Sequence, residues 1–311
     1  MKALVATGYG PLDKIALTTA TTPSPGPGQV LVKVQAAALN PLDLALITGA
    51  AKAIFPVEHP LTVGMDAAGT IEAIGNDVTG YAPGDAVIAF VGQAGSVAEY
   101  TVVDVGPHLA KRPAGLSAEA GAAIPESGMT ATCLLRAVGL GAGQSVLIVG
   151  ATGGIGLYAV QLARAAGARV NATATQEDAS YLRALGAHET VDYKTGDLVA
   201  DTLRLVPGGV DVIVDLINSG DALADTARAG RPGGKVVSPL NGPADLGRDV
   251  TGTYIGSFTA EPGDLQDLAD RAASGTLQIE IGARYPFDDA VQAVSDFAGK
   301  HLRGKVVITL P

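Results

Sequence analysis

Cysteine is nearly absent: the chain holds one, Cys133, in 311 residues. A single cysteine cannot close a disulfide within the chain. Cys133 lies in the helical-looking MTATCLLRAVGL and reads as a small buried hydrophobe. Basic runs are missing too. Lys and Arg number 21 against 31 Asp and Glu, a net charge of −10, and a general nucleic-acid binder shows a basic patch instead. No apolar stretch approaches the roughly 20 residues that cross a bilayer. Aromatic residues make up only 4%. Repeats and low-complexity tails are absent. Met1 leads straight into the strand-like KALVATGYG, without the pattern of a signal peptide. The expectation is a cytoplasmic protein with neither membrane nor nucleic acid as partner.

What the chain does have is SVLIVGATGGIGLYAVQLARAAG, residues 145–167. Ser145 to Val149 is an apolar run, the mark of a strand buried on both faces. Gly150 to Gly156 is a glycine-rich turn. Leu157 to Ala166 reads as a helix with Ile155, Ala159, Leu162, Ala163 and Ala166 on one face, and Gly167 suits its C-terminal end. Strand, glycine turn and helix open a dinucleotide-binding fold: the glycines admit a pyrophosphate, and the helix N-terminus supplies N–H groups and a positive dipole. The spacing departs from G-x-G-x-x-G, because Ala151 and Thr152 fall where that pattern has x-G.

Around this stretch the rhythm changes twice. Residues 1–117 are β-rich, with strands at Lys2–Ala6, Val30–Gln35, Thr70–Ile74, Asp85–Phe90 and Val97–Val103 and Gly/Pro turns between them. From 118 to 255 helices and strands alternate. Helices start after Ser117 and at Gly128. Strands are expected at 145–149, Arg169–Thr173, Thr190–Asp192, Val210–Asp215 and Lys235–Ser238, with helices at Asp178–Leu185, Leu198–Leu205 and Ala222–Ala229. Such alternation implies right-handed crossovers and a doubly wound parallel Rossmann sheet. Residues 256–311 add helices at Asp264–Ala273 and Phe287–Phe297 and a last strand, Lys305–Leu310. That strand suits the β-rich part better than the finished sheet. The fold class is therefore α/β, a doubly wound sheet plus a discontinuous β-rich domain to which the chain returns.

The second strand of the sheet bears on the cofactor. NAD-binding folds usually end it in Asp or Glu, which holds the ribose 2′-OH. Here it ends Asn171-Ala172-Thr173-Ala174-Thr175. Glu177 and Asp178 come later, where they suit a helix dipole and a capping box from Thr175. A 2′-phosphate is not repelled, and the hydroxyls of Thr173 and Thr175 are offered to it, so NADPH is expected. No Lys or Arg stands in that turn; Arg169 and Arg183 read as solvent charges.

Motifs spread along the chain resemble the medium-chain dehydrogenase/reductases, specifically their zinc-independent quinone oxidoreductase branch. They are ALNPLDLALITG (38–49), GMDAAGTIEAIGNDVTGYAPGDAV (64–87), IPESGMTA (124–131), GATGGIG and GKHLRGKVVITL (299–310). The resemblance implies a GroES-like catalytic domain, hydride transfer from NADPH to a quinone or an α,β-unsaturated carbonyl, and a homodimer paired through sheet edges. Zinc-dependent relatives carry a Cys, a His and a Cys or Glu as catalytic ligands. Asn40 stands where the first Cys would be and Met65 where the His would be, and the four-cysteine structural loop is missing. His59, His108, His188 and His301 show no ligand-like spacing, so no metal is expected. A carbonyl–alcohol interconversion would then lack its Lewis acid, whereas a conjugated acceptor spreads the charge onto its own oxygen.

The resemblance also implies roles. Asn40 would lie near nicotinamide and substrate, and Thr130 on the nicotinamide side. The turn from Gly150 through Thr152, Gly153, Gly154 and Ile155 would hold the pyrophosphate, and Tyr193 would meet the 2′-phosphate. Leu216 and Asn218 end the fourth strand; Ser238 to Leu240, with Ser257 and Phe258, would line the nicotinamide end. Lys305 would approach the cofactor from the returning segment. Ala45 occupies a place where many relatives carry Tyr or Lys, so no general acid is assigned. One-electron and two-electron reduction both stay open. So do an enzyme acting on a biosynthetic intermediate and a non-catalytic NADPH-binding protein.

Overall fold

The computed structural model describes residues 1–300 and 302–311. Its contacts divide the chain into two units, Met1–Ser127 with Ala260–Pro311, and Gly128–Thr259. The sequence places these changes after 117 and 255; the contacts place the first inside a helix that starts at Pro125.

The first unit begins with β1 (Lys2–Ala6), β2 (Ile15–Thr19) and β3 (Gln29–Leu39), followed by helix α1 (Pro41–Thr48). Then come β4 (Leu61–Thr62), β5 (Asp66–Ile74), β6 (Ala86–Phe90), β7 (Tyr100–Asp104), β8 (Leu109–Lys111), α2 (Ala118–Ala122) and the start of α3 (Pro125–Val138). Strand β3 is the spine. Val30, Leu31 and Val32 are buried in succession, and its last four residues, Ala36–Leu39, are buried as well. The strand pairs antiparallel with β5 along most of its length and with β7 over Gln29–Lys33. Ser117 caps α2, its Oγ accepting the Ala120 N–H at 3.1 Å. α2 packs on β3 and β5. Gly121 permits this approach, since a Cβ there would stand 2.7 Å from Ile88 Cγ2.

The second unit is an alternating run. It comprises β9 (Ser145–Val149), α4 (Gly154–Ala165), β10 (Arg169–Ala174), α5 (Ala179–Leu185), β11 (Glu189–Asp192), α6 (Leu198–Leu205), β12 (Val210–Asp215), α7 (Gly220–Ala227), β13 (Gly230–Ser238) and β14 (Thr251–Tyr254). The strands form one sheet in the order β11-β10-β9-β12-β13-β14, every neighbour parallel. The chain order reverses between β9 and β12, the place where doubly wound sheets open a binding crevice at their strand C-termini. Leu147, Ile213, Leu223 and Val236 are fully buried on this sheet.

The chain then returns to the first unit through α8 (Asp264–Ala273), β15 (Ile281–Pro286), α9 (Ala290–Gly299) and β16 (Lys305–Thr309). As the apolar KVVITL suggested, β16 joins the β-rich sheet, antiparallel to β3 with Val306 opposite Leu39. Leu39, Met65, Val294 and Ile308 share one core there. Among the described residues no helix is long and apolar enough to cross a membrane.

Candidate active site

In the first unit the polar residues gather where β3 becomes α1. Asn40 caps the helix, Pro41 takes its first position and Asp43 closes a capping box, its Oδ2 accepting the Asn40 N–H at 2.7 Å. The Asn40 side chain turns inward. Its Nδ2 donates to Asp66 Oδ2 at 2.9 Å, and its Oδ1 accepts from Lys305 Nζ. The same ammonium donates to Ser127 Oγ at 3.2 Å and lies 3.4 Å from Asp66 Oδ2. Asp66 Oδ1 accepts the Glu126 N–H at 2.9 Å. Asn40 and Asp66 have no exposed surface, and Asp43 and Lys305 keep 3% each. Lys305 reaches Asn40 because the register that sets Val306 against Leu39 sets the two preceding and following residues against each other.

Burial governs the ionisation of this centre. It pushes Asp43 up to about 8; the Asn40 N–H pulls the other way and the charge of Asp66 adds to the rise. Burial also raises Asp66, against the pull of Lys305 and of the Asn40 amide.

Asn40 and Lys305 were expected against the cofactor. In the structure their side chains bond each other, Asp66 and Ser127, as a buried ammonium needs its hydrogen-bonding capacity filled. Met65 belongs to the apolar core.

In the second unit the glycine turn leaves β9. Gly150 has φ +83° and no room for a side chain, since a Cβ would lie 2.7 Å from Ile217 Cγ1. The Gly153 N–H closes the turn onto Gly150 O at 3.1 Å, and Gly153 then caps α4. The first-turn N–H groups, Gly154 and Ile155 among them, have no acceptor within the helix. Thr152 is buried in the turn. Thr173 is 3% exposed and its Oγ1 accepts the Gly150 N–H at 2.9 Å. It braces the turn from the neighbouring strand. Thr173→Val, which keeps the shape and removes the acceptor, is expected to raise KM for NADPH and NADH alike; an effect on NADPH alone would restore the phosphate role. Thr175 Oγ1 donates to Asp178 Oδ2 at 3.0 Å.

The other expected residues follow the C-terminal ends of the same parallel strands. Leu216 N–H bonds Val149 O at 3.1 Å, tying β12 to β9. Asn218 is a local brace: its Nδ2 donates to Asp215 Oδ2 and to Thr226 Oγ1, each at 3.0 Å. Ser238 is buried, with its Oγ accepting from Leu240 N. Tyr193 and Leu240 are exposed by 42% and 38%. Ser257 and Phe258 lie beyond β14, and Thr130 is buried on α3. His59, His108 and His188 are dispersed, and His301 lies outside the described residues. No group of three His, Cys, Asp or Glu placed to hold a metal occurs among the described residues.

Residues 26–114 match the model of the alcohol dehydrogenase GroES-like domain, and residues 185–308 that of a zinc-binding dehydrogenase. The chain is 31% identical to the quinone oxidoreductase of Lama guanicoe, over 100% of this chain and 98% of that protein. This chain belongs to the medium-chain dehydrogenase/reductase superfamily, in its quinone oxidoreductase-like branch. Two solved structures of similar proteins cover nearly everything. A NAD-dependent alcohol dehydrogenase superposes with a TM-score of 0.90 at 29% identity, over 100% of both chains. A mycobacterial relative complexed with NADPH gives 0.86 at 26%, over 99% of both.

Sequence reasoning missed four residues of these sites. Asp43, Asp66 and Ser127 lie inside the motifs ALNPLDLALITG, GMDAAGTIEAIGNDVTGYAPGDAV and IPESGMTA, which by themselves assign them no role. Lys194 was passed over as well. The β10–β11 register sets Ala174 against Asp192, which puts the turn carrying Tyr193 and the exposed Lys194 beside Thr175.

Proposed function

We propose that this chain is an NADPH-dependent oxidoreductase that transfers hydride to a quinone or an α,β-unsaturated carbonyl without zinc. The observation that carries this reading is the ammonium of Lys305, buried on Asn40 and Asp66. By the family resemblance, Asn40 and Met65 occupy positions where zinc-dependent relatives hold their catalytic metal. A carboxamide already bonded twice, a thioether in an apolar core and an adjacent ammonium do not fit a dication, which needs three donors converging within about 2.0–2.3 Å. A conjugated acceptor needs no such Lewis acid, because its own oxygen takes the charge.

The second unit fits a dinucleotide. Its glycine turn lets the backbone approach a pyrophosphate, and the first turn of α4 offers free N–H groups. When bound, NADPH supplies the hydride. Lys194 supplies the basic group that the turn after β10 lacks, and this supports NADPH over NADH. Lys194→Ala is expected to raise KM for NADPH about tenfold through loss of a charge-assisted contact, with NADH kinetics unchanged. Equal effects on both cofactors would remove Lys194 from the 2′-phosphate.

The test of the function is a panel of quinones and enones followed by the loss of NADPH absorbance, with cofactor binding followed by fluorescence. Turnover of any conjugated acceptor in metal-free buffer supports it. Tight NADPH binding with no turnover across the panel would favour a non-catalytic protein or a specialised biosynthetic enzyme. No binding at millimolar cofactor would sink all three.

A further inference from the structure

The first unit buries two carboxyl groups beside one ammonium. Asp66 receives what stabilises an anion: Lys305 Nζ at 3.4 Å, Asn40 Nδ2 at 2.9 Å and the Glu126 N–H at 2.9 Å. Asp43 receives one donor, the Asn40 N–H at 2.7 Å. The charged groups facing Asp43 are Asp66 from β5, Lys305 from β16 and Glu126 from the first turn of α3. Its remaining surroundings are mostly apolar: the recess it lines is walled by Leu46, Ile47, Leu61, Val63 and Met65. A second carboxylate here would have little access to water and no cation of its own, and such a group takes up a proton instead.

We propose that Asp43 carries a proton in the working enzyme and is a positioning residue for Asn40, so that losing this proton disarms the site. The step is an acid dissociation. The carboxyl O–H bond breaks, the proton passes to water, and nothing is oxidised or reduced. Protonated, Asp43 leaves Asp66 as the one buried anion beside Lys305, with the partly exposed Glu126 at the start of α3, and Lys305 holds Asn40 Oδ1, Ser127 and Asp66 together. Ionised, Asp43 competes with Asp66 for that ammonium and draws it off the Asn40 carboxamide. Asn40 then loses the contact that fixes which way its amide points. Burial pushes Asp43 up to about 8, so the loss of this proton is expected in mildly alkaline solution.

The activity arm of this proposal rests on the oxidoreductase function above; its protonation arm does not. kcat is measured with NADPH and a quinone between about pH 6 and pH 10 for the wild type and Asp43→Asn. The wild-type rate is expected to fall about tenfold per pH unit above an apparent pKa near that of Asp43. Asp43→Asn, whose carboxamide cannot ionise, is expected to show no fall over that range, whatever its absolute rate. The same alkaline limb in both proteins would overturn the proposal. Infrared titration of the full wild-type chain gives a second readout, independent of whether the variant folds. The carbonyl stretch of a buried protonated carboxyl is expected near neutrality and lost in alkali. Its absence near neutrality would also overturn the proposal. A titrating band with no turnover of any acceptor supports the buried proton and counts against the proposed function instead.

Discussion

Lys305→Met is expected to destabilise the protein by about 3–5 kcal/mol, because it strands the buried carboxyl of Asp66 without its cation. The quantity is read from the urea midpoint of unfolding. The cost comes from the charge left behind more than from the bond removed: Asp66 has no exposed surface and cannot turn to water. Adding Asp66→Asn to the Lys305→Met chain should therefore recover most of the loss, since two neutral side chains replace an ion pair. The two substitutions share a contact and should be strongly non-additive in a double-mutant cycle. Additive losses would mean that the ammonium and the carboxylate are not coupled. A Lys305→Met protein of wild-type stability with a raised KM for NADPH would return Lys305 to the cofactor, where the family resemblance first put it.

The two units were unequally legible. The alternating run of the second unit announces itself because buried parallel strands are short apolar runs and their helices carry a 3.6-residue period. Strands 145–149 and 210–215 and helices 198–205 and 264–273 end where the pattern says they end. Helix α1 was not anticipated, although Asn40, Pro41 and Asp43 spell out its start. It is apolar on nearly every face, so periodicity carries no signal there. β14 is short and has no apolar face, and β15 alternates with Ile281, Ala283 and Tyr285 inward but is interrupted by Gly282 and ends in Pro286, which mask it as a turn. β7 was placed too early because Val97 and Ala98 are fully buried without being part of it.

The sites divide along the same line. The glycine turn is local, and its strand–turn–helix context lies within two dozen residues. The buried centre of the first unit is not local. Asn40 and Lys305 are 265 residues apart in sequence, and only the antiparallel register of β16 on β3 makes them neighbours. Sequence shows each residue as a capping asparagine and a strand lysine, which they also are. The basic group beside Thr175 was hidden for a similar reason. Lys194 follows β11, and a search confined to the turn after β10 does not look at the strand next to it.

Gly156 carries the other large expected effect. It is the third residue of α4, and a Cβ there would overlap the Gly150 carbonyl oxygen and the backbone of Ala151. Those are main-chain atoms and cannot rotate aside, so Gly156→Ala must push the helix start away from the turn. The displaced N–H groups are the ones a pyrophosphate would meet. NADPH affinity, measured by fluorescence titration, is expected to fall about 100-fold or more. The overpacked turn should also cost about 1–3 kcal/mol of stability. Gly153→Ala is the informative contrast. Gly153 has φ −76°, and its Cβ would stand an ordinary 3.4 Å from Gly150 O. That variant should keep wild-type stability and yet bind NADPH more weakly, because its methyl group projects where the backbone has to approach the phosphates closely. Gly156 acts through the shape of the turn, and Gly153 through the space in front of it. Wild-type NADPH affinity in both variants would mean that the dinucleotide does not sit on this turn.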